Sequence, residues 1–462
     1  MDTPILDTYQ KALAFNMNKN IYGTIAEIGA GQETVRWFFK VGGAAGSIAK
    51  AISAYDMKFS DSIYGSCQRY VSRERLHSML ETEYDLLNKR LSGDKSSDCT
   101  FFSFANTVTT FNYSRKQAGH GWLGIQFQTH PHEAVSEIHL HVSLKGKSST
   151  QDQETLGVLG VNLIYSAHYL HQDPIALLTS LMENLSCDQL EIDMIDFDGP
   201  AFRQVDNRVM ALQLVRLGLT HATMFQADGK LVQPSDALYK KSVLVERSRF
   251  RPPTKLNINL LDCAYDALCK ETDAGCDDVY VLSEMTIQSL TDGSDIDMDD
   301  FLQRIDILCA LGKNVMISNY AEFYRLAQYL FRLTNKPVAI ALGVPTLRQI
   351  FDEKYYENLE GGILEAFGRL FRNDMRLYAC PEMGDDGKLT AVQDLKVQKH
   401  LQHLYSHLLE NGYIRNLDTV DKDHLSIHAD TVLKKIRDGD DSWQSLVPHD
   451  VVNIINERGL FQ

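Results

Sequence analysis

Between Glu137 and Leu144 apolar and polar side chains alternate one for one, with Ile138, Leu140, Val142 and Leu144 on one side and His139, His141 and Ser143 on the other. That period of two belongs to a β-strand with one face in a core and one in solvent. Residues 100–111 and 122–129 are apolar enough to be its neighbours, and a half-solvated antiparallel sheet accounts for all three runs. Residues 72–91 are strongly charged and carry a helical period, and Ser92-Gly93-Asp94-Lys95-Ser96-Ser97 reads as a loop.

From Gln153 the pattern changes to helical periods separated by short apolar runs. It predicts helices over 154–169 and 174–185, a strand over 190–197, a helix over 205–217 and a strand over 221–226. After Pro252 and Pro253 come strand 279–286, helix 299–311, strand 314–318, helix 321–333, strand 337–342, a helical stretch through Phe371 and strand 376–379. Alternation of this kind predicts a mixed α/β fold: an N-terminal α+β part with an antiparallel sheet, then doubly wound Rossmann-like βα units. Paired prolines stop regular structure, so the expected parts are 1–252, 253–390 and a helical appendage over 391–462. Arg208 to Gly218 before His221 echoes Arg304 to Gly312 before Asn314, each a helix closed by Leu-Gly that feeds a strand. Parallel βα architecture produces such echoes. The tail is expected to pack as a lid or as a homo-oligomer contact.

At 462 residues the chain exceeds what one core holds. Its 46 Lys+Arg against 61 Asp+Glu give a net charge of −15, which repels polyanions and argues against nucleic acid or anionic membrane as partners. Lys240, Lys241, Arg247, Arg249 and Arg251 form one basic cluster, suited to a phosphate-sized ligand. Met1-Asp2-Thr3-Pro4 carries acid where a signal peptide carries basic residues, and the longest strongly apolar run, 156–165, is far short of a membrane helix. A cytoplasmic protein is expected. The eight cysteines contain no C-x-x-C pair, as befits reduced thiols.

Candidate chemistry lies at the strand ends. Glu27-x-Gly29-x-Gly31 closes an apolar run, and glycines there let a ligand approach backbone closely. The motif resembles the first motif of S-adenosylmethionine-dependent methyltransferases, which implies a ribose-binding role for Asp56. Gln32-Glu33 replaces the third glycine, and the same residues also suit a tight strand-helix turn. Gly42, Gly43 and Gly46 offer backbone donors to an anion. Lys50 stands four positions past Gly46, so this is no Walker motif, and close helix packing is the other reading.

Leu190 to Gly199 delivers Asp196-Phe-Asp198-Gly and resembles the first motif of haloacid dehalogenase-like phosphotransferases. The resemblance implies Asp196 as nucleophile, Asp198 as acid/base and Mg2+ as cofactor, with Ser318 binding the phosphoryl group and Asp385-Asp386 as late metal-binding acids. Pro200 departs from that motif, and the strand before Ser318 offers Glu284 in place of D-x-D. Acids capping the next helix are the alternative. Seven of the 15 histidines crowd into residues 120–171. His139 and His141 share a strand face and His168 and His171 a helix face. With Asp196 and Asp198, or with Glu137, the strand pair makes a candidate metal site; a polar surface is the other account.

Tyr22 to Glu33, Ser53 to Met57, Glu154 to Asn162 and Gly361 to Gly368 resemble a functionally uncharacterised bacterial protein family, some of whose members are labelled nicotinate-nucleotide adenylyltransferase. That activity implies an early H/T-x-G-H and a late I-S-x-T-x-x-R. Here Gln117-Ala-Gly-His120 lacks the first histidine or threonine, and Ile317-Ser318 is followed by Arg325 out of place. A second label, TonB-dependent receptor, conflicts with the βα pattern. The function expected is an enzyme of transfer type, or a binding protein derived from one, acting on a nucleotide or phosphorylated small molecule. A self-assembling scaffold is the rival.

Overall fold

A computed structural model describes residues 6–29, 31–91, 98–111, 118–271, 276–291, 295–384 and 387–461. The loop expected at 92–97, Ala30, Gln117 and the acids Asp385 and Asp386 lie outside them. The chain divides into two compact units, Met1–Thr220 and His221–Gln462. Pro252-Pro253 and the expected appendage over 391–462 both fall within the second.

Among the described residues the first unit is built on six strands: β1 (Ile21–Ile28), β2 (Ile48–Ile52), β3 (Thr100–Thr109), β4 (His120–Phe127), β5 (Ser136–Leu144) and β6 (Leu190–Asp198). Their order is β2-β1-β3-β4-β5-β6. β1 runs parallel to β2 and β3, and β3 to β6 are antiparallel neighbours. Among the described residues seven α-helices accompany them: α1 (Thr8–Met17), α2 (Glu33–Val41), α3 (Met57–Tyr64), α4 (Arg73–Leu91), α5 (Ser149–Tyr169), α6 (Pro174–Leu181) and α7 (Asn207–Arg216).

Alternation along the strands decides what covers each face. Phe104, Ile125, Ile138, Leu140 and Ile195 form one core with Phe15 of α1, Phe38 of α2 and Leu159 of α5. α2 and α5 meet closely, because a Cβ on Gly160 would stand 2.2 Å from Thr34 Oγ1. On the other face α4 lays down Leu76, Met79, Leu80 and Leu87, all buried, at helical spacing. Each contributes roughly 1.5–3 kcal/mol on burial.

That second face is not the solvated one the pattern suggested. His139 is 6% exposed and His141 fully buried. The reason is local. Gly124 on β4 has no side chain, and Leu76, Leu80 and His139 each come within 3.0 Å of where its Cβ would stand. A β-bulge adds to this: His141 pairs with Met194 but Val142 with Ile192, leaving Asp193 as the extra residue. A bulge re-aims the side chain it carries, and Asp193 turns onto His141.

The second unit holds β7 (Ala222–Phe225), β8 (Leu231–Val232), β9 (Ser242–Arg247), β10 (Val279–Thr286), β11 (Asn314–Ser318), β12 (Val338–Gly343), β13 (Met375–Cys380), a small hairpin of β14 (Glu382–Met383) and β15 (Leu389–Thr390), and β16 (Ile414–Asn416). The main sheet runs β16-β13-β12-β9-β10-β11-β7-β8. From β11 through β10, β9, β12 and β13 to β16 all pairings are parallel, which is the doubly wound order 3-2-1-4-5-6. Helices pack on both faces, and Trp443 of the C-terminal helical segment lies in a core with Ile307, Val432 and Val451. The echo between residues 208–225 and 304–318 is not a parallel repeat. β7 and β11 pair antiparallel, Phe225 opposite Val315, and α7 belongs to the first unit. Among the described residues no helix is long and apolar enough to cross a membrane, and no cysteine is in a disulfide.

Candidate metal centre

Arg73 and His77 are four residues apart near the start of α4, hence on one face of it. Below them β5 presents Glu137 and His139, and β6 sets Asp198 opposite Glu137 and Asp196 opposite His139. His77, Glu137 and His139 each offer one ligand atom, all within 4.8 Å of one another. His139 Nε2 stands 3.1 Å and His77 Nδ1 3.8 Å from Glu137 Oε2. Gln126 donates to the other oxygen of Glu137 at 2.6 Å. Arg73 forms an ion pair with Asp196. A cleft of about 520 Å³ is lined by these residues together with Glu74, Asp198 and Asn207.

Two features mark the cluster. His139 Nε2 is buried, and its contact with Glu137 lacks hydrogen-bond geometry, so it finds no hydrogen-bond partner among the described residues. Burial works to raise the Glu137 carboxyl, but His139 first, then Gln126 and His77, outweigh it and hold the group below the usual carboxylate range. Two imidazoles and a carboxylate within one ion's reach, with room for further ligands, suit Zn2+ or Mn2+ better than Mg2+, which prefers oxygen throughout.

The four residues expected to share a metal are sorted differently. His139 joins the cluster with His77 and Glu137, while Asp196 faces the same cleft but pairs with Arg73. Asp198 Oδ1 accepts from Gly199 N at 2.7 Å. His141 belongs to a second arrangement: its Nδ1 is 2.6 Å from Asp193 Oδ1, and its Nε2 is 3.3 Å from His120 Nδ1. Ser143 donates to the other Asp193 oxygen at 2.8 Å. His168 and His171 each turn Nδ1 to a carbonyl one helical turn back, Ile164 at 2.8 Å and Ala167 at 3.1 Å. His168 sits among the rings of Phe15, Phe102 and Phe127, and burial lowers its pKa to about 4.

The glycine segments hold their local structure together. Glu27, 2% exposed, accepts from Thr34 N and Val35 N at 3.1 Å each and from Asn106 Nδ2 at 3.0 Å. It thus satisfies the first turn of α2. Gly29 has φ +99° and stands where a Cβ would lie 1.8 Å from Val108 O, a close approach of backbone to β3. Gly31 has φ +76° with open space around it. Asp56 caps α3, accepting from Phe59 N at 2.9 Å. Gly42 O accepts from Asn16 Nδ2 at 2.7 Å, and Gly46 N donates to Gly43 O at 3.0 Å.

In the second unit, Ser318 donates to Glu284 Oε1 at 2.6 Å, and Arg247 grips both oxygens of the same carboxylate at 2.9 Å. The three lie at the carboxyl ends of β11, β10 and β9. Asp196 and Asp198 therefore belong to one unit and Ser318 to the other. Arg73 and His77 escaped the sequence reading. Their i,i+4 spacing was visible, but only the packing of α4 aims them at β5 and β6.

No protein-family model matches the chain, and no curated protein does. Among solved structures it is similar to competence/damage inducible protein CihA from Agrobacterium tumefaciens, with TM-score 0.26 and 14% identity, over 36% of this chain and 98% of that one. A CinA superfamily protein from Enterobacter cloacae gives TM-score 0.26 and 12% identity, over 36% and 95% of the two chains. One from Escherichia coli gives 0.24 and 15%, over 39% and 95%. Similarity at this level says nothing about chemistry.

Proposed function

We propose that the first unit binds a divalent transition-metal ion at His77, Glu137 and His139 and uses it to hold a nucleotide or other phosphorylated small molecule, as an enzyme of transfer type. The observation that carries this reading is the buried His139 Nε2, without a hydrogen-bond partner among the described residues, 3.1 Å from a carboxylate and beside a second imidazole. A buried polar atom left unsatisfied costs about 1–3 kcal/mol; a bound cation supplies its partner and ties Glu137 and His77 to the same centre. When bound, the ion would act as a Lewis acid toward a phosphoryl oxygen. Arg73, on the rim of the same cleft, has the planar fork that suits phosphate. In the second unit the doubly wound sheet supports the same ligand class by architecture alone, since such sheets hold ligands at their carboxyl edge.

Metal analysis of protein purified without chelator, followed by titration of stripped protein with Mn2+ and Zn2+, tests the reading. One ion per chain is expected, lost in His77→Ala and in His139→Ala. Unchanged binding in both variants would remove the centre.

A further inference from the structure

Asp196 occupies two positions at once in the logic of the cleft. It is the cross-strand partner of His139, and residues directly opposite in an antiparallel pair have Cβ atoms about 4.5–5.5 Å apart. Its side chain therefore leaves the sheet on the same face as that of His139, and both line the cleft. In the described structure the Asp196 carboxylate is turned to Arg73. The ion pair sits at the rim, with the Arg73 side chain 45% and the Asp196 side chain 21% exposed, and exposed pairs of this kind open at little cost.

We infer that Asp196 is shared between Arg73 and the metal, so that metal binding releases Arg73 to take the phosphate. This rests on the metal-centre reading above. His77, Glu137 and His139 supply three ligands, and Asp196 of β6 lines the same cleft. A cation there draws Asp196 in as a fourth ligand, because a second carboxylate next to a divalent charge outweighs one half-exposed guanidinium. Arg73 then has lost its anion while its helix still holds it over the cleft, and an incoming phosphate oxygen replaces the carboxylate on the same fork. Metal and phosphate thus favour each other's binding through one carboxylate, and by linkage the coupling is equal in both directions. Asp198 does not share this role: it lies opposite Glu137 and holds the Gly199 amide.

The experiment uses the full chain stripped of metal, inorganic phosphate and Mn2+, with calorimetry as the readout. Without metal, Asp196→Asn should bind phosphate at least ~10-fold more tightly than wild type, because Arg73 is no longer occupied. Asp198→Asn removes the same charge from the same cleft and should show no such gain. The double variant Asp196→Asn/Arg73→Met should lose it. In the other arm, Mn2+ should bind Asp196→Asn about 10–100-fold more weakly than wild type. Equal gains in the two single variants, or an Mn2+ affinity indifferent to Asp196→Asn, overturn the sharing and leave the metal centre standing. If wild type binds no Mn2+, the centre itself is absent and the inference goes with it.

Discussion

His139 Nε2 and Glu137 Oε2, two residues apart on one strand, approach to 3.1 Å without forming a hydrogen bond. The imidazole lies beside Gly124, where Leu76 and Leu80 of α4 also come within 3.0 Å of the place a Cβ would take. The two atoms converge on a point that His77 also reaches.

A ligand that binds only the folded chain stabilises it by mass action, by about 2.7 kcal/mol at roughly 100 times its Kd. Mn2+ at such a concentration should raise the unfolding midpoint of the wild type and leave His139→Ala unmoved. Urea denaturation with and without the ion reads this directly; an equal rise in both proteins would place the ion elsewhere.

His168 predicts an acid-labile step in the first unit. Burial among three phenylalanine rings lowers its pKa to about 4 from the ordinary histidine value of 6.5. A histidine depressed in the folded state contributes stability that is complete above its unfolded value and is lost as pH falls from there through the folded value. Between about pH 7.5 and about pH 5 the loss should be about 2 kcal/mol. His168→Leu should abolish that part of the pH dependence, and chemical denaturation at the two pH values measures it.

Glu246 predicts the opposite sign in the second unit. It is 2% exposed, takes one hydrogen bond from Asn257 at 2.5 Å, and burial raises its pKa to about 8. A carboxyl raised in the folded state favours folding fully below its unfolded value of 4.5, and this is lost as pH rises through about 8. Glu246→Gln keeps the acceptor for Asn257 and cannot ionise. Relative to wild type it should be near neutral at about pH 4 and more stable by about 3 kcal/mol near about pH 7. A constant difference across that range would show that the Glu246 carboxyl titrates in the folded chain as it does in the unfolded one.

Gly160→Ala should destabilise by about 1–3 kcal/mol, because the added methyl meets Thr34 Oγ1 at 2.2 Å and Thr34 Cγ2 at 2.6 Å. Among the described residues Thr34 Oγ1 is buried without a hydrogen-bond partner, so Thr34→Ala should be mild by itself. The double variant should recover part of the loss. Strict additivity of the two changes in a denaturation experiment would refute the contact between α2 and α5.

What the residues determined by themselves was local. The alternation at 137–144 specifies β5, the charged helical period before it specifies α4, and β10 and β11 begin and end where their apolar runs do. The mixed α/β class follows from the order of such segments. β9, at the centre of the doubly wound sheet, was hidden because Ser242–Arg247 is short and embedded in the basic cluster, so its charged flanks drowned its period. Tertiary structure decided the rest. Burial of the polar face of β5 depends on α4 crossing Gly124, and the turning of Asp193 onto His141 depends on a bulge; neither has a periodicity to read. The same holds for the cleft. Glu137 and His139 are neighbours in sequence and were legible as a pair, but His77 and Arg73 lie some sixty residues earlier. Only the hydrophobic stripe of Leu76, Met79, Leu80 and Leu87, by docking α4 on the sheet, brings that second imidazole and the guanidinium to the same point.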